Sequence, residues 1–335
     1  MELIRLFPGR TRSFWNRVLT KEKDLEEIRL RAGKPILLKF HTHESFVDPN
    51  GNLTFDLKKS QCISAEEMEE IVLHNCEYSL YSKADEIKKG FITTEGGHRI
   101  GVSGQVILDE TDHIKNLKEI TFINIRIAHE IKGAADTLIP YLYENGEFLN
   151  CLILAPPGNG KTTILRDCIR QISDGNEFAK GLTVGVVDER LELSGSYRGV
   201  PSINLGIRTD VLAGCNKAIG MLYLIRTMAP KVIALDELGG EDDFEALRIG
   251  INCGCKVIAT IHGNSLEQLY GRIGKLWHFL GRTFDLIVLL GKKEPHVIDS
   301  RIYGPVKIWR KEEFYAQMAG SIADSFRCDR DWSLE

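Results

Sequence analysis

A short stretch that begins at Cys151 most constrains what this chain can fold into. Residues 151–155 are an apolar run, Pro156-Pro157-Gly158-Asn159-Gly160 form a turn, and Lys161-Thr162-Thr163 open a segment with helical character. Glycine lets such a turn curl until several backbone N–H groups converge on one anion. The start of the following helix adds unpaired N–H groups and a favourable dipole. The stretch therefore predicts a strand, a phosphate-binding loop and a helix.

The loop also predicts a role for its polar residues. In the pattern G-x-x-x-x-G-K-[ST], the lysine reaches the β- and γ-phosphates of a nucleotide and the hydroxyl binds Mg²⁺. We therefore expect Lys161 to contact ATP and Thr162 to bind the metal ion, with further nucleotide contacts from Pro157, Gly158, Asn159, Gly160 and Thr163. Ala155 replaces the first glycine of the pattern and resists positive φ, so the loop requires an ordinary β-region φ there. A Gly/Pro turn with an incidental lysine is the alternative, and the flanking strand and helix favour the phosphate loop.

Composition narrows the class of protein. The chain has 335 residues, enough for two domains or one large one. Its net charge of −4 argues against a dedicated nucleic-acid binder, although a local basic patch is compatible with it. No apolar run approaches the roughly 18 residues of a membrane span. The eight cysteines lack the spacing of a zinc site, which indicates reduced thiols.

The texture of the sequence predicts two domains. Residues 1–130 alternate short strand-like and helix-like pieces: a hairpin at 27–31 and 36–38, a capped helix from Ser64 to about Cys76, and strands in 90–106 and 120–127. This pattern is typical of a small α+β domain. A linker at 131–145, with a helix around 135–143, leads to the nucleotide domain at 146–335.

The second region predicts a parallel sheet. Apolar strands separated by helix-length segments indicate a sheet that is covered on both faces, and they lie at 152–154, 183–187, 232–235, 257–261 and 286–290. Ligands of such sheets bind beyond the carboxyl ends of the strands. The residues that follow each strand are therefore the candidates for chemistry.

Three of these strands end in polar groups. Asp236-Glu237 follows the strand at 232–235, which predicts Asp236 in the Mg²⁺ shell and Glu237 as the group that polarises the attacking water. Asp188-Glu189-Arg190 follows the strand at 183–187 and predicts a second acidic group near the pocket, with Glu189 a further catalytic candidate. His262 follows the strand at 257–261 and is a candidate sensor of the γ-phosphate. An exposed acidic turn, a solvated loop and a structural histidine are the respective alternatives.

These elements, in this order, resemble the secretion-ATPase superfamily of type II and type IV secretion and pilus motors. This chain differs from those motors at Asp236, a position where they often have glycine. A closer similarity is to the stage III sporulation protein AA family. It rests on Glu-Ile-Arg-Leu-Arg-Ala-Gly-Lys-Pro at 27–35 and on Arg-Thr-Asp-Val-Leu-Ala-Gly-Cys-Asn-Lys-Ala-Ile-Gly-Met at 208–221. It covers residues from about 25 to about 290.

The resemblance implies an α/β fold: a RecA-like P-loop NTPase with a mostly parallel sheet, preceded by a smaller α+β domain. It implies an ATPase that uses ATP and Mg²⁺, is cytoplasmic and peripheral to the membrane on the mother-cell side of the forespore septum, and energises a membrane complex of sporulation channel proteins. Secretion relatives form homo-oligomeric rings, which implies a hexamer. An arginine presented across a ring interface can stabilise the transferring phosphoryl group, and the candidates are Arg126, Arg190 and Arg208.

Two other functions remain open at the level of sequence. A RecA-like ATPase that remodels nucleic acid would use the same pocket together with a basic, aromatic-lined channel. The sequence has no obvious lysine-rich stripe, so we expect no nucleic-acid partner. A nucleotide-gated scaffold that does not hydrolyse ATP is the third hypothesis; Ala155 leaves it open and the acidic pair at 236–237 disfavours it.

Overall fold

The chain divides into two compact units, and the computed structural model describes residues 3–20, 24–88, 90–112, 114–292 and 303–313. The first unit comprises Met1–His129 together with Gly195–Ile203. The second comprises Glu130–Ser194 and Asn204–Glu335. No helix among the described residues combines the length and apolarity that crossing a bilayer requires.

The first unit is built on a seven-stranded antiparallel sheet in the order β4-β3-β2-β1-β7-β6-β5. Its strands are β1 (Leu25–Arg31), β2 (Leu37–Phe40), β3 (Glu44–Val47), β4 (Leu53–Thr54), β5 (Phe91–Thr93), β6 (Arg99–Leu108) and β7 (Ile114–Arg126). Its helices are α1 (Arg12–Leu19), α2 (Ala65–Asn75) and α3 (Ala84–Lys88). The predicted hairpin is confirmed as β1 paired with β2, and the paired strands predicted in 90–106 are confirmed as β5 and β6.

Alternate residues along the strands are apolar and buried, and they form the core of this unit. Ile28 and Leu30 of β1, and Ile123 and Ile125 of β7, are buried in one apolar cluster that also includes residues of α2. The capping box predicted at Ser64 is present: the Glu67 N–H donates to Ser64 Oγ at 3.1 Å, and the Ser64 N–H donates to the Glu67 carboxylate at 2.9 Å.

The segment Gly195–Ile203 is fixed in the first unit by a close backbone approach and by polar contacts. A Cβ on Gly195 would lie 2.7 Å from the Gly97 Cα, so Gly195 has no room for a side chain, and a Cβ on Gly97 would lie only 3.2 Å from the Gly195 Cα. The Tyr197 hydroxyl donates to the Glu77 carboxylate at 2.8 Å, and Arg198 forms an ion pair with the same carboxylate. The Lys83 ammonium lies 5.2 Å from the centre of the Tyr197 ring.

We expect the stability of the protein to fall between pH 6.5 and pH 4 because of His98. Its buried Nδ1 accepts from the Ala128 N–H at 3.1 Å, and burial, with a smaller contribution from His129, lowers its pKa from 6.5 to about 4. The unfolded chain binds this proton first, so the stabilisation is complete above pH 6.5 and is lost as the pH falls through 4. The loss is about 3 kcal/mol of unfolding free energy. Urea denaturation across this range measures it, and His98→Gln should flatten the profile; an unchanged profile would contradict the assignment.

The second unit is built on a seven-stranded sheet in the order β12-β11-β13-β14-β10-β15-β16. Its strands are β10 (Cys151–Ala155), β11 (Val184–Asp188), β12 (Thr209–Ala213), β13 (Val232–Leu235), β14 (Lys256–His262), β15 (Leu286–Lys292) and β16 (Tyr303–Arg310), and a separate hairpin pairs β8 (Tyr143–Glu144) with β9 (Glu147–Phe148). All pairs in the large sheet are parallel except β15 with β16.

In the described part of this unit, the α-helices are α4 (Lys161–Asp174), α5 (Lys217–Met228), α6 (Glu241–Asn252), α7 (Leu266–Ile273) and α8 (Trp277–Thr283). Every residue of β10, β11 and β13 is buried, as expected for a parallel sheet with both faces covered. The five predicted strands are confirmed, and the mostly parallel α/β fold with them. The sequence did not predict β12 or β16.

The helix predicted around 135–143 is wrong. Residues 132–138 form turns, only Ile139–Leu142 form a short 3₁₀ helix, and Tyr143 already belongs to β8. Gly133 has a φ of +83°, and Pro140 lacks the N–H that a continuing helix needs. Pro140 lies inside the predicted segment and explains why residues 135–143 do not form one continuous α-helix.

Candidate functional site

The predicted phosphate loop connects the buried strand β10 to α4. Gly158 and Gly160 have φ values of +79° and +70°, and Gly160 is the N-cap of α4. A Cβ on Gly158 would meet nothing within 4 Å, so its positive φ, rather than crowding, favours glycine there. Ala155 ends β10 and is not among the residues with positive φ, so its Cβ is accommodated without strain. The loop therefore has the ordinary backbone conformation that it requires at Ala155.

Lys161 is buried beside the end of β14. Lys161 is the first residue of α4 and is 8% exposed. The ammonium Nζ lies 2.8 Å from Nδ1 of His262, the last residue of β14. Because an ammonium can only donate, His262 Nδ1 accepts and its ring proton resides on Nε2. Parallel pairing of β10 with β14 brings His262 opposite Ala155, which places these groups at the same edge of the sheet.

Thr162 and the acidic pair meet at this edge. The Thr162 hydroxyl donates to Asp236 Oδ2 at 2.9 Å. The other carboxylate oxygen of Asp236 accepts from the hydroxyl of Thr260, a buried residue of β14. Two threonines on separate elements thus fix the orientation of the Asp236 carboxylate.

Glu237 has an unusual backbone and two charged partners. Its φ is +61°, in the left-handed region that costs a non-glycine residue energy, and its N–H donates to Thr260 Oγ1 at 2.8 Å. Its carboxylate accepts from His262 Nε2 at 2.8 Å and from the Arg190 guanidinium at 2.8 Å. One continuous polar chain therefore joins Lys161, His262, Glu237 and Arg190.

Asp188 organises the loop that carries Arg190. This buried carboxylate accepts from the N–H groups of Glu192, Leu193 and Ser194 at 2.9, 3.1 and 2.7 Å, and from the Ser194 hydroxyl at 2.6 Å. Four donors on three consecutive residues close the chain into a compact turn after β11. The turn fixes the backbone on both sides of Arg190.

Arg166 supports the same turn from α4. Its guanidinium donates to the carbonyls of Glu192 and Leu193, the latter at 3.0 Å. Burial lowers the pKa of Arg166, while the negative charges of Asp188 and Asp236 act in the opposite direction. The side chain stays cationic at neutral pH because an arginine starts from a very high pKa. It therefore places a positive charge among the acidic groups of the site.

Three predicted residues have their contacts elsewhere. Glu189 forms an ion pair with Lys217 at 2.9 Å, and the Lys217 ammonium also lies 3.7 Å from Asp243. Arg208 donates to the Ser173 carbonyl at 2.8 Å, at the C-terminus of α4, whereas Lys161 lies at its N-terminus about 20 Å along the axis. Arg126 belongs to the first unit and lies 3.9 Å from Glu27. The structure does not bring these three into the polar chain.

Three residues make contacts here that were not predicted from the sequence: Thr260, Arg166 and Lys217. Thr260 was a polar residue inside an apolar strand, which is a signal for a buried hydrogen bond. Arg166 follows Lys161 by five positions in α4, and nothing in its spacing identified the carbonyls that it contacts. Lys217 begins α5 directly after its N-cap Asn216 and lies in the 208–221 motif.

Comparison with known proteins identifies the family. The family model described as sporulation stage III, protein AA matches residues 1–304 of this chain. The chain belongs to this family. A relative named stage III sporulation protein AA, from Bacillus subtilis (strain 168), is 38% identical over 282 residues, which cover 84% of this chain and 87% of the relative. The similarity read from residues 27–35 and 208–221 is confirmed.

Solved structures show the fold that this family member shares. The ATPase DotB of Legionella pneumophila aligns with a TM-score of 0.55 at 16% identity, over 85% of this chain and 76% of that chain. The pilus retraction motor PilT, solved with bound ADP, aligns with a TM-score of 0.59 at 12% identity, over 91% of this chain and 86% of that chain. The predicted RecA-like fold of the secretion ATPases is confirmed, and the chain is a sporulation-family protein with that fold.

Proposed function

We propose that this chain is an ATP-hydrolysing motor of the secretion-ATPase type that energises a sporulation channel between mother cell and forespore. One observation carries the proposal: Lys161, Thr162, Asp236 and Glu237 converge at the carboxyl edge of the parallel sheet, beside a loop with two left-handed glycines. Cytoplasmic location at the mother-cell face of the septum, association with a membrane complex and assembly into a hexameric ring are parts of the same proposal.

The loop fits the terminal phosphates of ATP. The positive φ of Gly158 and Gly160 and the start of α4 at Lys161 supply backbone N–H groups for phosphate oxygens. Lys161 donates to His262 in this structure, and we assign its ammonium to the β- and γ-phosphates when ATP binds. Pro157, Asn159 and Thr163 complete the proposed nucleotide contacts.

The residues also fit a magnesium ion. Mg²⁺ is usually bound through one or two carboxylates together with substrate phosphates and water, rather than by a cage of protein ligands. Thr162 and Asp236 offer such a hydroxyl and carboxylate, 2.9 Å apart. Within the described part of the chain, no group of three or more His, Cys, Asp or Glu side chains is arranged to hold a metal ion. Bound there, Mg²⁺ would neutralise charge on the phosphates.

Glu237 is the proposed general base. A carboxylate at this position accepts a proton from the attacking water and orients it toward the γ-phosphate. His262, which donates to Glu237 through Nε2 and accepts from Lys161 through Nδ1, is the proposed link between phosphate occupancy and the base. Arg190 contacts Glu237 of its own chain, which supports a role at its own site, and action across a ring interface is proposed for it on the same footing as for the other two arginines. Glu189 remains a predicted second carboxylate, and Arg126 and Arg208 remain candidates without a contact at this site.

We expect Glu237→Gln to bind ATP with nearly unchanged affinity and to hydrolyse it about 10²- to 10³-fold more slowly, because the amide cannot accept the proton of water. Phosphate release under multiple turnover and equilibrium binding of a fluorescent ATP analogue measure the two quantities. Assays with and without single-stranded DNA, and sedimentation with and without nucleotide, test nucleic-acid stimulation and ring assembly in the same preparations.

Asp242→Asn is the matched control, because Asp242 is an exposed carboxylate of α6 outside the polar chain. Its turnover should equal that of the unaltered protein. If both the unaltered protein and Glu237→Gln bind ATP tightly and neither hydrolyses it, the scaffold hypothesis replaces the motor. Equal turnover in all three proteins would exclude Glu237 as the base.

A further inference from the structure

The outward face of the first unit's sheet is basic and aromatic. Alternate residues of the four strands β1, β7, β6 and β5 point away from the core formed by their neighbours. Six of the outward residues define what we call the arginine face: Arg29, Arg31, Arg99, Arg126, Phe91 and Phe122. They line an open cavity of about 500 Å³.

The strand register arranges this face in rows across the sheet. One row places Arg126 opposite both Glu27 and Arg99. The next row runs from Arg29 through Asn124 and Gly101 to Phe91. The third places Phe122 opposite both Arg31 and Ser103. With strands about 4.8 Å apart, four strands span about 14 Å, a width that suits two or three stacked bases.

The charge of the face is positive. Glu27 lies at one edge and contacts Arg29 at 2.8 Å, Arg126 at 3.9 Å and Lys39 at 4.0 Å. Burial raises the pKa of Glu27, but the hydrogen bond from Arg29 and the charges of all three cations outweigh it, and the pKa is lowered. One carboxylate among four arginines leaves the face attractive to a polyanion.

The face also offers rings and an unused amide. The Arg99 guanidinium carbon lies 3.6 Å from the centre of the Phe91 ring, so a cation and an aromatic plane are already stacked. Phe122 is 51% exposed although it is a large apolar residue. In the middle row, Asn124 Oδ1 is buried and has no hydrogen-bond partner among the described residues. Gly101 beside it has no side chain that would fill the centre of the face.

We propose that the arginine face binds single-stranded nucleic acid. Arginines pair with the phosphates, while Phe122 and the Arg99–Phe91 stack present planes on which unpaired bases lie. An anionic membrane or an acidic peptide would also satisfy the arginines, but the flat stack of Arg99 on Phe91 beside Phe122 favours planar bases over either of them. A base pair in a duplex is already stacked and cannot lie on Phe122. The net charge of −4 does not oppose this, because charges elsewhere on the chain offset a local basic face.

The test measures binding of a fluorescein-labelled eight-residue oligothymidylate to the full-length chain by anisotropy, without ATP. The logarithm of affinity should fall linearly with the logarithm of salt concentration, with a slope near −2 if about three phosphates are contacted. Arg31→Ala should reduce the magnitude of that slope by about 0.7. Phe122→Ala should weaken binding about tenfold through loss of stacking.

Matched controls lie on the same unit outside the face. Arg17 is an exposed arginine of α1, and Phe55 is 76% exposed, so Arg17→Ala and Phe55→Ala should bind as the unaltered protein does. Circular dichroism of all four variants checks that they fold alike. No binding, equal affinities in all variants, or tighter binding of a twelve-base-pair duplex or of phosphatidylglycerol vesicles than of the oligothymidylate would each overturn the proposal. Since no ATP is present, these outcomes are separate from those that test hydrolysis.

Discussion

We expect Lys161→Ala to reduce ATP turnover by about 10³-fold, the upper end of the loss for a single fixed donor. Lys161 is 8% exposed, and its ammonium is positioned by His262 at the start of α4. A fixed cation in a site of low dielectric stabilises charge on the transferring phosphoryl group more than a solvated one, and removing a single such donor costs about 10²–10³ in rate. The same ammonium contributes to ground-state binding, so affinity for ATP should also weaken. Steady-state phosphate release and titration with a fluorescent nucleotide measure both effects.

Lys180→Ala provides the control for this prediction. Lys180 is an exposed lysine of the second unit, so its loss changes the net charge equally without touching the loop. Thermal unfolding of both variants separates a chemical effect from a folding defect, because Lys161→Ala also leaves His262 Nδ1 without its donor. Normal hydrolysis by Lys161→Ala would mean that the nucleotide binds elsewhere.

Asp188→Ala should destabilise the second unit by about 3–5 kcal/mol. The substitution removes a buried carboxylate and leaves the N–H groups of Glu192, Leu193 and Ser194 without their acceptor. Hydrogen bonds to a buried charge contribute about 1.5–3 kcal/mol each, and an unsatisfied buried donor carries its own desolvation cost. Urea denaturation followed by circular dichroism measures the change.

The adjacent carboxylate offers the comparison for Asp188. Glu189→Gln removes a partly exposed ion pair with Lys217 and should cost less than about 1 kcal/mol. Asp188→Ala should also slow hydrolysis, since the turn that positions Arg190 beside Glu237 is no longer closed. Equal destabilisation by the two substitutions would show that the buried hydrogen bonds do not hold the turn.

The parallel sheet was predictable because a strand that is buried on both faces appears in the sequence as a continuous apolar run. Strands β10, β11 and β13 are runs of apolar residues, and their ends were located to within one residue. Strand β16 has no such run: it includes Gly304 and Pro305, mixes in basic residues, and pairs at the sheet edge with a register shift between Leu289 and Leu290. An edge strand of this composition resembles a loop when only the sequence is read.

The residues of the candidate site were predictable from the sequence, but the hydrogen bonds between them were not. The rule that ligands bind beyond the carboxyl ends of parallel strands placed Asp236, Glu237 and His262 near the loop. The hydrogen bonds that join them depend on the left-handed φ of Glu237 and on the ring tautomer of His262, which tertiary contacts set. Glu189 and Arg208 carry charges that suit a catalytic role, yet Lys217 and the end of α4 provide closer partners.

The arginine face could not be predicted from the sequence because its residues are far apart in the chain. Arg29 and Arg31 alternate with core residues in β1, while Phe122 and Arg126 lie about 90 positions later in β7. Net charge averages over such a distribution, and a search for a lysine-rich stripe overlooks arginines at every second position. The strand register is the information that assembles them, and it is set by the core side of the sheet.

Because Gly195–Ile203 belongs to the first unit, the polypeptide passes between the two units three times. No single cut separates them: a fragment ending at His129 would lack the partners that Tyr197 and Arg198 give to Glu77. Exchange of the first 129 residues between relatives would likewise set Gly97 against a foreign backbone at the position of Gly195. A working chimera between relatives would therefore have to carry residues 195–203 together with the first 129 residues.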